Sequence, residues 1–201
     1  MSTDPLKLVV ILGSVRQGRF GEVVAHWFAR LAKEHSAFDV EVVDLAETEL
    51  PLSLPSTPPA MATEELRPAE MLPLSAKLAA ADAFVVVTPE YNHSFPASLK
   101  ALIDWHFTEW RAKPVGFVSY GAQSGGLRAV EQLRLIFAEM HAVTIRDGVA
   151  FPFYWEAFDE DGTPRDAEGT SGAVKVMLDE LAWWGTALHE ARAKSPYNHG
   201  D

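Results

Sequence analysis

Three short segments gather groups able to hold an anion or a flat polar ring. The first, Gly13-Ser14-Val15-Arg16-Gln17-Gly18-Arg19-Phe20-Gly21, sets glycines, a serine and two arginines directly ahead of a run with helical apolar spacing. N–H groups at a helix start point outward and favour negative charge, and Ser14, Arg16 and Arg19 add directed donors. A P-loop is not completed, because Arg19-Phe20 stand where Lys-Ser/Thr would follow. A dinucleotide fingerprint fails as well, since Val15 takes the place of its second glycine. The segment reads as a cradle for a single phosphate group.

The second segment, Thr88-Pro89-Glu90-Tyr91-Asn92-His93-Ser94-Phe95-Pro96, is braced by two prolines. Tyr91 offers a flat face and Asn92 an amide with donors and acceptors, a pairing suited to a planar heteroaromatic ring. The third, Tyr120-Gly121-Ala122-Gln123-Ser124-Gly125-Gly126, lets main-chain N–H groups come close to a ligand. Its order is not G-x-S-x-G, so it does not signal a hydrolase nucleophile. Taken singly, each segment also matches an ordinary turn between strand and helix. Metal chemistry has little footing: His26, His93, His106 and His141 share no ligand spacing, and His189-Glu190 lacks the second histidine of a zinc-protease motif.

These loops have to be carried by regular elements. Leu6 to Leu12 is short, branched and apolar, as in a strand covered on both faces. Phe20 to Lys33 then repeats apolar residues at helical spacing through Val23, Val24, Trp27, Phe28 and Leu31. The same alternation predicts strands at 38–43, 83–87, 115–120 and 143–145, and helices around 73–81, 99–107, 126–140 and 172–193. Five strands alternating with five helices imply one α/β domain, a parallel sheet with helices on both faces. Residues 46–67, rich in proline, read as a long surface connection; 151–170 starts sticky, with Phe151-Pro152-Phe153-Tyr154-Trp155, and turns acidic; 195–201 reads as a frayed tail.

The chain has 201 residues and a net charge of −11, which argues against general affinity for nucleic acid or an anionic membrane. It contains no cysteine, which excludes disulfides, thiolate nucleophiles and iron–sulfur clusters. No apolar run is long enough to cross a bilayer, and Met1 to Pro5 shows no basic region or cleavage pattern, so the expectation is a cytoplasmic protein without a signal peptide. Aromatic residues at Trp105 to Trp110 and Phe151 to Trp155 exceed what one core of this size needs, and suggest a contact between subunits.

Together, Gly13-Ser14-x-Arg16-x-Gly18-Arg19, Pro89-Glu90-Tyr91-Asn92-x-Ser94-x-Pro96-x-x-Leu99-Lys100-x-x-Ile103-Asp104-Trp105 and Ser124-Gly125-Gly126 resemble the NADPH-dependent FMN reductase family, from Leu6 to about Phe151. The resemblance implies a flavodoxin-like fold with strand order 2-1-3-4-5, FMN as cofactor, NADPH or NADH as electron donor and a small-molecule acceptor such as a quinone, free flavin, azo compound or metal oxyanion. It implies a homodimer or homotetramer, and ping-pong transfer of hydride that needs no metal and no catalytic side chain. A flavodoxin-like electron carrier, with no oxidation of NAD(P)H of its own, is the alternative. By the same resemblance Ser14, Arg16 and Arg19 hold the phosphate with main-chain donors near Gly21 and Glu22. Pro89, Glu90, Tyr91 and Asn92 line the ring system with Ser94 nearby, and Tyr120, Gln123, Ser124 and Gly125 close the other side. Ala97, Ala101 and Ala122 depart from the family pattern, which often has glycine, asparagine and glycine there.

Overall fold

β3 (Ala83–Pro89) and β4 (Pro114–Tyr120) carry no charged residue and are apolar except for Thr88 and Ser119, which suits them to positions away from water. Both are buried at every position. Around them a computed structural model, which describes residues 4–61 and 66–197, sets β1 (Leu6–Leu12), β2 (Phe38–Asp44) and β5 (Val143–Phe151) in one parallel sheet of order β2-β1-β3-β4-β5. This is the flavodoxin-like arrangement. α1 (Gly21–Glu34) and α6 (Ala167–Lys194) cover one face, meeting Leu8, Val10, Val85 and Val118. α2 (Leu72–Ala80), α3 (Ala97–Trp105) and α4 (Leu127–Glu139) cover the other, over Val9, Ile11, Phe84 and Phe117. The alternation of sides along each strand is the period of two that a sheet buried on both faces requires.

Three elements depart most from the sequence expectation. β5 continues well past Ile145, because the polar Arg146-Asp147-Gly148 that breaks the apolar run is accommodated as an irregularity in the ladder. Val115 pairs with Thr144, but Phe117 pairs with Gly148. The amides of Arg146 and Asp147 donate to the Glu180 carboxylate of α6 at 3.1 and 2.8 Å, so a side chain from a distant helix supplies the partners the sheet does not. α6 begins at Ala167, five residues before the expected Gly172, because Asp166 caps it by accepting the Gly169 N–H at 3.0 Å. A short helix, α5 (Tyr154–Ala157), forms where a loop was expected.

The proline-rich connection is fastened to the body at both ends. Trp105 Nε1 donates to the Pro51 carbonyl at 2.7 Å, and the buried Arg67 and Glu109 side chains pair at 2.7 Å. Residues 62–65 of that connection and 198–201 of the expected tail lie outside the described residues. Tyr197, just before them, lies against His141 with its hydroxyl 3.1 Å from Nδ1. Trp105 and Trp110 are 6% and 0% exposed, so that part of the aromatic surplus belongs to the core, whereas Phe153 and Trp155 are 43% and 53% exposed.

Candidate functional site

In a sheet of this order the chain winds away from β1 in opposite directions, and the loops leaving β1 and β3 part at their C-terminal ends. A cavity of about 290 Å³ lies there, lined by Ser14, Arg16, Arg19, Pro89, Tyr91 and Tyr120 among others. Register explains the convergence: Leu12 lies opposite Val87, Pro89 opposite Tyr120, and Tyr120 opposite Phe151, so four strands end along one rim.

The loop after β1 is drawn onto its neighbour by the Gly13 N–H, which donates to the Val87 carbonyl at 3.0 Å. Ser14 is fully buried, and its Oγ shares a 2.7 Å hydrogen bond with the Tyr91 hydroxyl. Arg16 is exposed, with its guanidinium carbon 4.4 Å from the centre of the Tyr91 ring, a cation–π contact. Arg19 meets the Ser14 carbonyl and the carboxylates of Glu22 and Asp44. α1 starts at Gly21 with no side chain capping its first turn, so its leading N–H groups stay open to an anion. A Cβ at Gly21 would lie 2.6 Å from the Tyr120 hydroxyl, so only glycine lets β4's tyrosine come this close to the helix. Burial pushes the Tyr120 phenol well above its usual range, against the opposing pull of a hydrogen bond with Ser14, so the hydroxyl keeps its proton.

The loop after β3 is a tight turn. Tyr91 and Ser94 exchange both main-chain hydrogen bonds, at 2.8 and 3.0 Å, while Asn92 and His93 take φ of 50° and 71°. Positive φ at both central residues is the geometry of a type I′ turn, for which asparagine is favoured. Ser94 Oγ is directed at Gln132 of α4, 2.6 Å away, and Gln132 in turn donates to the His93 carbonyl at 2.7 Å. Ser94 therefore anchors the turn from behind.

Glu90 joins the second and third loops. Its carboxylate accepts from Ser124 Oγ at 2.6 Å and from Arg128 Nη1 at 2.9 Å. Burial works against its charge, yet these hydrogen bonds and the Arg128 cation outweigh it and hold the carboxyl below its usual range. Gln123 is exposed and does not line the cavity, and Gly125 packs against Pro152. Six wall residues were not among those assigned from the sequence: Gly18, Phe20, Gly121 and Ala122, which lie within the loops it singled out, and Tyr154 and Trp155, which do not. The Phe20 and Tyr154 rings pack at 4.9 Å, and Tyr154 meets Trp155 at 5.2 Å. The signal was the aromatic run 151–155. Its place at the rim was hidden by the unforeseen length of β5.

An anion cradle at an uncapped helix start, opening onto tyrosines at a sheet's switch point, is a frame for a phosphorylated ring cofactor. The family model described as NADPH-dependent FMN reductase matches residues 6–156, the stretch that holds all three loops. The chain belongs to this family. As an FMN reductase family member it is an oxidoreductase of the flavodoxin-like fold, with FMN as its cofactor and NAD(P)H as electron donor. It is 35% identical over 197 residues to the NAD(P)H-dependent FMN reductase ntnL of a Nectria species, an alignment covering 87% of this chain and 98% of that one. With an NAD(P)H-dependent FMN reductase of Schizosaccharomyces pombe it shares 41% identity over 122 residues, 60% of either chain. Among solved structures, the flavoenzyme NAD(P)H:(acceptor) oxidoreductase FerB of Paracoccus denitrificans has the same fold, with a TM-score of 0.68, 21% identity and coverage of 88% and 97% of the two chains.

The residues present fit FMN. Ser14, the Arg16 cation and the uncapped start of α1 are the donors a phosphate requires, and beside them Tyr91, Pro89 and Asn92 offer the flat and polar faces a ring requires. No helix among the described residues is long and apolar enough to cross a membrane, and none of their carboxylates and histidines cluster as a metal site would.

Proposed function

We propose that the chain oxidises NADPH or NADH and reduces a small acceptor, of the quinone, free flavin, azo or metal oxyanion class, at FMN held in the cavity between the β1 and β3 loops. The observation that carries this is the 2.7 Å bond between Ser14 and Tyr91, which fastens the phosphate cradle to the ring-lining loop as one rigid wall. Bound FMN supplies the hydride chemistry, accepting from the nicotinamide and donating to the acceptor. The protein's part is to bind and orient. Ser14, Arg16 and Arg19, with the main chain at Gly21 and Glu22, frame the phosphate end; Pro89, Glu90, Tyr91 and Asn92 form the inner wall. From the β4 side Tyr120 lines the cavity, while Ser124 supports it through Glu90 and Gly125 through Pro152; Gln123 stands outside the lining, and Ser94 braces the turn. Trp155, half exposed, flanks the mouth.

Donor and acceptor taking turns at the same face of the bound flavin would give ping-pong kinetics. The exposed Phe153 and Trp155 beside the cavity support a homodimer or homotetramer. The test is a turnover screen of FMN-loaded protein with both nucleotides against a quinone, free FMN, an azo dye and chromate. Parallel double-reciprocal lines are expected. Absence of nucleotide oxidation with every acceptor would reduce the chain to an electron carrier.

A further inference from the structure

The Arg19 guanidinium has five N–H donors, and all five are occupied. Nε and Nη2 each donate to Glu22 Oε1 at 2.9 Å. Nη1 donates to Asp44 Oδ1 at 2.7 Å and to the Ser14 carbonyl at 2.6 Å, and Nη2 also bonds Asp44 Oδ2. The Arg19 side chain is 10% exposed and Asp44 18%, so water competes weakly for either. Asp44 is itself fixed at the end of β2: its Oδ1 accepts the Ala46 N–H at 2.9 Å, and the next amide, Leu45, donates to the Leu12 carbonyl at 3.2 Å.

Two carboxylates around one guanidinium leave a local net negative charge. An FMN phosphate could take Arg19 donors only by displacing a carboxylate and then sitting beside it. Arg16 is placed differently. It lines the same cavity, is exposed, and has no carboxylate bonded to it among the described residues. The Arg19 fork has another effect on the loop. A trans peptide directs its C=O and N–H to opposite sides, so holding the Ser14 carbonyl fixes the Val15 N–H facing away from Arg19.

We propose that Asp44 is a positioning residue for the phosphate loop: together with Glu22 it saturates Arg19, which braces the loop through Ser14, and Arg16 is the cation that meets the FMN phosphate. The inference rests on the FMN reading above. It assigns Arg19 a structural duty within the cradle and brings in a residue from β2, a strand none of the site motifs touches.

The test compares FMN with riboflavin, which lacks the phosphate, by quenching of flavin fluorescence on titration into apoprotein. Wild type is expected to prefer FMN at least about tenfold, the value of one charge-assisted contact. Arg16→Ala should abolish most of that preference. Asp44→Asn should lower it severalfold with riboflavin affinity unchanged, and Arg19→Lys should act like Arg19→Ala, because one ammonium cannot span Asp44, Glu22 and the Ser14 carbonyl. The double variant Asp44→Asn with Arg19→Ala should lose no more than either single one. Asp44→Glu, which keeps the carboxylate, should recover part of the preference, and thermal melting without flavin checks that each variant folds. Tighter FMN binding by Asp44→Asn, or full preference kept by Arg19→Lys together with Arg16→Ala, overturns the proposal. A wild type that binds FMN no better than riboflavin overturns the phosphate reading beneath it.

Discussion

The Tyr91 hydroxyl and Ser14 Oγ, 77 residues apart in the chain, lie 2.7 Å from each other and close the wall between the first and second loops. Leu12, the last residue of β1, pairs with Val87, two residues before β3 ends, so the two loops leave neighbouring strands side by side.

Tyr91→Phe removes this bond and keeps the ring. Loss of one hydrogen bond of about 1 kcal/mol corresponds to roughly fivefold weaker FMN binding. Equilibrium titration of apoprotein measures it, and an unchanged affinity would show that the two loops hold their places without the bond.

Glu90→Gln replaces the carboxylate that accepts from Ser124 and Arg128. Destabilisation of about 1 to 2 kcal/mol is expected at neutral pH from the loss of charge assistance. The carboxyl is held below its usual range, so its contribution is complete above pH 4.5 and fades only as pH falls through the lower folded value. Urea unfolding of both proteins at pH 7, 5 and 3 should show the same gap at the first two values and a narrowing at the third.

Gly125→Ala meets two obstacles. Gly125 has φ of +62°, and an added Cβ would stand 2.9 Å from the Pro152 nitrogen. Strain in a left-handed conformation costs about 1 to 2 kcal/mol, and Pro152 has to move, carrying Tyr154 and Trp155 off the rim. A lower melting temperature together with weaker FMN binding is expected; a loss of stability alone would separate this contact from the site.

Lys113 is buried with its ammonium on the Leu78 and Ala79 carbonyls at 2.9 Å each, the last turn of α2. Burial lowers its pKa from 10.5 to about 8. Below pH 8 both folded and unfolded chains hold the proton and the penalty is complete; between about 8 and 10.5 the folded chain releases it first, so this residue's contribution to stability rises with pH. Lys113→Met should flatten that rise, a difference on the order of 1 to 3 kcal/mol. Unfolding free energies at pH 7.5, 8.5 and 9.5 decide it.

Much of this protein was legible in its sequence, because the signals were local. Apolar runs revealed β1, β3 and β4, of which β3 and β4 are covered at every residue, and the loop compositions marked where a phosphate and a flat ring could be held. The donors of the first loop and the ring-lining groups of the second are contiguous in the chain, from Gly13 to Gly21 and from Thr88 to Pro96, so their chemistry could be read before either loop had a place in the fold. What the tertiary structure decided were the relations between distant residues. β5 runs on to Phe151 because Glu180 of α6 satisfies the amides of Arg146 and Asp147, and only that length delivers Tyr154 and Trp155 to the cavity. Ser94 faces Gln132 and away from the cavity because α4 packs behind its turn. Arg19 and Arg16 look alike in the chain, yet Asp44, 25 residues beyond Arg19, fills the donors of one and leaves the other free for an anion. Composition fixes which groups can bond; the pairing of β1 with β2 and β3 settles which of them are near enough to do so.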